Sequence, residues 1–215
     1  MSINKLFLLE IKELKYNRLK LLEIFNQVKS YARVKGLPWN SNDSLEIDDA
    51  NCIVIQYGDY MIADPSKKSL SCNLLAFPYI QNLVNRLNFS HEISPGNVDI
   101  LWYRKGASFQ PHVDHYAAST MMFPIDPEDA DAPIDFYYEK SIALEQGVAQ
   151  HFGNVLTDKN IIYSHQYSTS YPTIFNSHWI HGVKNVSRDR VYFRIRINEN
   201  FSSIKEKYKQ GTLLK

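Results

Sequence analysis

The sequence predicts an α+β fold in which helices come first and an all-β core follows. Three observations carry that expectation. Residues 5 to about 35 place Leu6, Leu9, Ile11, Leu14, Leu19, Leu22, Ile24, Phe25 and Val28 at spacings near three and four, with Lys and Glu between them. From Pro95 onward, short β-prone runs alternate with turn residues, and most of them have no helical pattern between them, which argues for a sandwich or barrel. Aromatic residues make up 13% of the chain, with fourteen Tyr against eight Gly, a composition suited to strands with wide, partly polar inner faces.

Taken in order, the helical pattern of the N-terminal region stops at Gly36, Leu37 and Pro38, and a polar stretch runs from Asn40 to Asp49. CIVIQYGDY (52–60) reads as a strand and FPYIQNLVNRLNF (77–89) as a helix with one apolar side. Seven β-prone runs follow: VDILWYR, FQPHVDHY, STMMFPI, IDFYYEK, NIIYSHQYS, YPTIFNS and VYFRIRIN. Between them, DPEDADAP (126–133) reads as an acidic solvated loop and residues 141–159 as a rim insertion. No internal repeat and no low-complexity segment is present.

Length and composition narrow the class. At 215 residues, 44% hydrophobic and 22% charged, the chain fits a single globular domain rather than a disordered one. A formal net charge of +1 gives no global attraction to nucleic acid or acidic membranes. Cys52 and Cys72 are too few for a disulfide framework and read as buried reduced thiols. Lys and Glu interrupt the apolar residues of the N-terminus, unlike a signal peptide, and no run approaches the roughly 20 apolar residues of a membrane span. The expected location is cytoplasmic, with no membrane partner.

The chemistry begins at His112-Val113-Asp114. On a strand, alternate side chains share a face, so His112 and Asp114 point one way and Val113 the other. An imidazole beside a carboxylate is two thirds of a 2-His-1-carboxylate triad, which holds one face of an octahedral iron and leaves three positions open. HxD is a weak signal alone and recurs by chance. The third ligand must arrive by folding, and both His178 and His181 lie in the downstream segment YPTIFNSHWIHGVKNVSRDRVYFRIRI (171–197). Its last strand carries Val191, Phe193, Ile195 and Ile197 on one face, and Arg190, Tyr192, Arg194 and Arg196 on the other. Arginines in water on a half-exposed strand explain this pattern. The alternative is an apolar face on the helices and guanidiniums lining an interior, where they suit a dicarboxylate through bidentate pairing.

The order HxD, then His, then Arg resembles the signature of the iron(II)/2-oxoglutarate-dependent dioxygenase superfamily, in particular its prolyl-hydroxylase-like branch. The resemblance covers residues 95–198. LWYRKGASFQPHVD (101–114) supplies Tyr103, Gly106 and Pro111 ahead of the HxD, and HGVKNVSRDRVYFRI supplies Val183 and Arg190 after it. HxD and HGV are each loose; their joint order and spacing are more specific. The family register, with Arg190 nine residues past His181, favours His181 over His178 as the third ligand. One departure concerns the Gly-Gly-x-x-x-Phe turn that the family often has near the substrate entrance: here the sequence reads DADAPIDFYYEK, which bears on substrate class and not on the metal.

The resemblance implies a double-stranded β-helix (jelly roll, cupin-like) core backed by the N-terminal helices. Residues 1–94 would pack on that core, 95–200 would form it, and 201–215 would be a C-terminal tail, all within one compact domain. His112, Asp114 and His181 are implied as ligands of Fe(II). Arg190 would pair with the distal carboxylate of 2-oxoglutarate, Tyr103 would hydrogen-bond to it, and Arg196 would line the same pocket. The implied activity consumes O2 and 2-oxoglutarate, releases succinate and CO2, and hydroxylates an unactivated C–H bond. The substrate would be an amino-acid side chain (peptidyl proline among them) or a small metabolite. His115 would face away from the metal; His91, His151 and His165 carry no ligand spacing. Two other readings remain: a non-catalytic jelly-roll scaffold, and an oxygenase directed to nucleic acid through Lys184, Arg188, Arg190, Arg194 and Arg196. The N-terminal helices are open to three roles: core support, a homodimer interface or a substrate platform.

Overall fold

A computed structural model of the chain describes residues 7–34, 52–56, 67–114, 117–126, 133–138, 156–184 and 186–215. Eleven strands are formed among these residues: β1 (Leu8–Glu10), β2 (Cys52–Gln56), β3 (Lys67–Ser71), β4 (Val98–Tyr103), β5 (Phe109–His112), β6 (Ser119–Asp126), β7 (Ile134–Tyr137), β8 (Ile161–His165), β9 (Thr173–Asn176), β10 (His181–Val183) and β11 (Arg190–Ile197). They make a seven-stranded sheet in the order β1-β9-β6-β11-β4-β2-β3 and a four-stranded sheet in the order β5-β10-β7-β8. Every pairing is antiparallel except β2 with β3. Each of the seven runs read from the sequence overlaps one of these strands.

Alternation along the strands of the large sheet sorts two cores. One face contributes Val98, Ile100 and Trp102 of β4, Met121, Phe123 and Ile125 of β6, Ile174 of β9, and Val191, Phe193, Ile195 and Ile197 of β11. That face packs against the helices α1 (Arg18–Val34), α2 (Pro78–Asn85) and α3 (Phe201–Lys209) through Leu21, Ile24, Phe25, Val28, Ile80, Leu83, Phe201 and Ile204. The other face meets the small sheet. Leu101, Tyr103, Met122, Phe175 and Tyr192 pack there with Ile134, Phe136 and Val183. The molecule is therefore a two-sheet sandwich with helices on the outer face of one sheet. Of the two accounts of the β11 arginines, the interior one holds, because the alternate residues are what the helices cover.

The N-terminal region departs from expectation. Residues 5 to about 35 read as one helical stretch, yet Leu8–Glu10 is an edge strand paired with Phe175 to Thr173, and the helix starts only at Arg18. Phe7, Ile11 and Leu14 are all buried, so the three- and four-residue spacing reflects a segment wrapping the sandwich edge. Asn17 starts the helix, its side-chain oxygen accepting from the Lys20 amide at 3.0 Å. The C-terminal residues 201–215, expected as a tail, contain α3, and Phe201, Ile204 and Leu213 enter the helix-side core. Much of the acidic loop 126–133 and of the insertion 141–159, as well as His115 and His151, lies outside the described residues.

Candidate metal centre

His112 ends β5 and His181 begins β10, and the two residues are direct cross-strand partners in the small sheet. Their ring centroids lie 4.4 Å apart. Gly182 makes this approach feasible: a Cβ there would stand 2.8 Å from the Phe109 carbonyl oxygen and 3.3 Å from the Pro111 nitrogen. Pro111 in turn is tolerated because β5 is an edge strand, where a missing amide donor breaks no interior ladder. Gly106, in the turn between β4 and β5, adopts φ 85°, and its amide donates to the Val186 carbonyl at 2.6 Å.

Asp114 lies just past the end of β5, with its amide donating to the Ser177 carbonyl at 3.1 Å. One carboxylate oxygen is 3.6 Å from His112 Nε2 and the other 3.9 Å from His181 Nε2. Val113 points away, into a small cluster with Tyr137, Leu156 and Ile180. The three side chains offer one donor atom each, all within 4.8 Å of one another. His178 is not among them: it sits exposed in the turn between β9 and β10, its amide bonded to Asn176 Oδ1. His91 is exposed, and His165 is buried 3.4 Å from Thr173 Oγ1.

Both imidazoles are fixed from behind. His112 Nδ1 is 2.7 Å from the Gln110 carbonyl oxygen and His181 Nδ1 is 2.8 Å from that of Trp179. A carbonyl only accepts, so each Nδ1 carries the hydrogen and each Nε2 is turned toward the carboxylate. Trp179 is itself anchored, its indole donating to the Tyr137 carbonyl at 2.9 Å and its ring standing edge-on to Phe7 at 4.7 Å.

The electrostatics suit a cation. Burial works against the Asp114 charge, but the His112 hydrogen bond and the nearby His181, His112 and Arg194 hold its carboxyl below the ordinary carboxylate range. Burial, then His112 and Arg194, push His181 down to about 4, against the opposing pull of Asp114 and the Trp179 carbonyl. The pair thus presents an ionised carboxylate and a neutral imidazole at neutral pH, the forms that ligate metal. Two nitrogens and one oxygen fit a borderline divalent transition metal better than an all-oxygen ion such as Ca2+ or Mg2+. Side-chain exposures of 16%, 25% and 6% for His112, Asp114 and His181 leave the cluster shielded yet reachable.

Among the described residues Arg190 is the largest fully buried side chain, 1% exposed, and it sits opposite Tyr103 in the β11–β4 register. Its guanidinium carbon is 5.0 Å from the centre of the Tyr192 ring, which is edge-on to Tyr103 at 5.8 Å. Arg196 shares Arg190's face; its Nη2 donates to the Gly96 carbonyl at 2.5 Å and its Nε is 3.3 Å from Asp99. Arg194 forms a bidentate pair with Asp99, both bonds 2.8 Å, and Asp99 is fully buried. Sequence reasoning missed Asp99 and Tyr167. Tyr167 is buried, and burial with Tyr103 and Asp114 raises its hydroxyl pKa while Arg190 opposes, which places it among those groups. Asp99 carried one legible signal, a charge inside an otherwise apolar strand; Tyr167 carried none.

No family model matches the chain, and no curated protein matches it. Among solved structures it is similar to a Pseudomonas putida prolyl-4-hydroxylase at 15% identity, over 81% of this chain and 88% of that one, with a TM-score of 0.33. It is also similar to hydroquinone 1,2-dioxygenase PnpCD at 10% identity, over 69% of this chain and 88% of that one, TM-score 0.36. Procruciferin, the 11S globulin of Brassica napus, matches at 12% identity and TM-score 0.29 over 48% of this chain, which spans only 21% of that protein. At such identities and TM-scores the likeness transfers no activity and no residue role.

Proposed function

We propose that this protein is an iron(II)- and 2-oxoglutarate-dependent oxygenase built on a double-stranded β-helix. The observation that carries this reading is the convergence of His112, Asp114 and His181, with both Nε2 atoms turned to the carboxylate, in an interior that also holds the buried Arg190. The donor set is that of a facial triad, which leaves coordination positions for other ligands. When bound, Fe(II) with 2-oxoglutarate and O2 supplies the oxidation: the keto acid becomes succinate and CO2 while a substrate C–H bond becomes C–OH.

The chain's own residues divide the remaining work. His112, Asp114 and His181 hold the ion, and the Gln110 and Trp179 carbonyls keep the two rings from turning. Arg190, buried and always charged, receives the distal carboxylate of 2-oxoglutarate, with Tyr103 as its cross-strand partner. Tyr103, Tyr167, Phe175 and Tyr192 belong to one buried cluster on that side of the sheet, and the Tyr192 ring lies 5.0 Å from the Arg190 guanidinium carbon. The substrate is an amino-acid side chain, peptidyl proline included, or a small metabolite, and the expected setting is cytoplasmic, with homodimerisation through the helical face as a further proposal. The phosphate-track alternative loses support because Arg190, Arg194 and Arg196 are turned to the interior.

The test is spectroscopic and chemical. Kept free of oxygen, the protein with Fe(II) and 2-oxoglutarate is expected to show a weak visible charge-transfer band, and in air to release succinate slowly without substrate. Asp114→Ala is expected to lose both signals. A folded, iron-loaded sample with neither band nor succinate would refute the oxygenase and leave the scaffold reading.

A further inference from the structure

The turn from β9 to β10 carries the backbone group that orients a metal ligand. The Trp179 carbonyl accepts from His181 Nδ1 at 2.8 Å, which leaves Nε2 to face Asp114. Where that carbonyl stands, the ligand ring follows. Within the turn the Trp179 amide donates to the Asn176 carbonyl at 3.1 Å. On the other side Tyr137 is bonded twice: its amide donates to the Ile180 carbonyl at 3.0 Å, and its carbonyl accepts from the Trp179 indole at 2.9 Å.

A residue from the opposite end of the chain braces this turn at its start and near its end. Phe7 stands just ahead of the edge strand β1 and is 1% exposed. Its carbonyl accepts from the Asn176 amide at 2.8 Å, and its ring stands edge-on to the Trp179 ring at 4.7 Å and 75°. The same ring stacks on Phe136 at 5.2 Å. Phe136 is the cross-strand partner of His181 in β7 and β10, and their ring centroids are 6.4 Å apart. Phe7 therefore reaches His181 by two routes, through Trp179 and through Phe136. An edge-on aromatic contact is directional, so an aliphatic side chain in place of Phe7 would fill space without setting the angle of the indole.

We propose that Phe7 is a positioning residue of the metal centre. By fixing the Trp179 ring and the Phe136 ring it sets the orientation of His181, and metal affinity depends on an edge segment remote from the ligands in sequence. This inference rests on the metal site of the reading above and goes beyond it in naming what holds the third ligand from behind.

Co(II) titration of the full chain, followed by visible d–d absorption, reads affinity and ligand geometry together. Phe7→Leu is expected to weaken Co(II) about tenfold, the lower end for an outer contact at a metal site, and to alter the shape of the band. Phe193→Leu makes the same substitution at an equally buried phenylalanine of the helix-side core. It is expected to leave affinity and band unchanged, which separates positioning from a general loss of stability. Losses from Phe7→Leu and Trp179→Leu are expected to be less than additive, because both act on one carbonyl. If Phe7→Leu does not fold, the more pliable Phe7→Met takes its place. A folded Phe7 variant with wild-type affinity and an unchanged band, an equal loss in Phe193→Leu, or full additivity with Trp179→Leu would overturn the inference and leave the metal centre standing. A wild-type protein that binds no Co(II) would overturn both.

Discussion

Gly182 shows how much of the site depends on single atoms. It separates His181 from Val183 on β10, and its missing Cβ lets that strand lie against Phe109 and Pro111 of β5. In Gly182→Ala the new methyl would stand 2.8 Å from a backbone oxygen, so the strands must part. The expected outcome is a folded protein whose metal affinity falls at least about tenfold, the scale of a lost outer contact at a metal site; equilibrium dialysis with Mn(II) measures it, and unchanged affinity would contradict it. Arg190→Met belongs to the same scale. It replaces a buried cation with an apolar chain of similar length, so 2-oxoglutarate affinity should drop while the variant still binds Mn(II); a titration of each ligand checks both. Much of this was legible. Alternation alone put His112 and Asp114 on one side, and it remained valid although the strand ends at His112. The role of Asp99 was not legible, because only cross-strand register shows that it faces Arg194.

At the scale of elements, β11 organises the molecule. Its odd-numbered residues from Val191 to Ile197 are in the helix-side core, and Phe193 is fully buried. Phe193→Ala is expected to cost about 3–5 kcal/mol, the usual price of an emptied aromatic site, readable by urea denaturation. Just beyond, Glu199 ties the end of β11 to α3 and the preceding loop. Its carboxylate accepts from Ser203 Oγ at 2.5 Å, from Lys207 Nζ at 3.0 Å and from the Ser90 amide at 2.6 Å. Burial opposes its charge, but those hydrogen bonds prevail and lower its pKa. A lowered folded pKa stabilises above the unfolded value and loses that stability as pH falls toward the folded one. Glu199→Gln should therefore destabilise by about 1.5–3 kcal/mol at pH 7, and the gap to wild type should close below pH 4, where the carboxyl protonates. A gap independent of pH would refute the charged network. The strands were readable here because their alternation is regular. α3 was not, since FSSIKEKYK has few apolar residues and its helix is set by Phe201 and Ile204 docking on the sheet.

For the whole molecule, two sheets of seven and four strands close over an interior that carries Arg190, Arg194, Asp99 and the ligand cluster. Among the described residues the helices cover the outer face of the large sheet, and the small sheet presents His112 and His181. The broad order, helices then an all-β core, followed from periodicity. The edge strand β1 did not, because its spacing mimics a helix while its pairing depends on β9, more than 160 residues away. Among the described residues no helix is long and apolar enough to cross a membrane. The most direct measurement is metal stoichiometry, by anaerobic dialysis of wild type and Asp114→Ala against Fe(II). Wild type should retain one ion per chain, and Asp114→Ala should retain far less while keeping its circular dichroism. A folded wild-type protein that holds no ion, or an Asp114→Ala variant that holds it equally well, would contradict the triad.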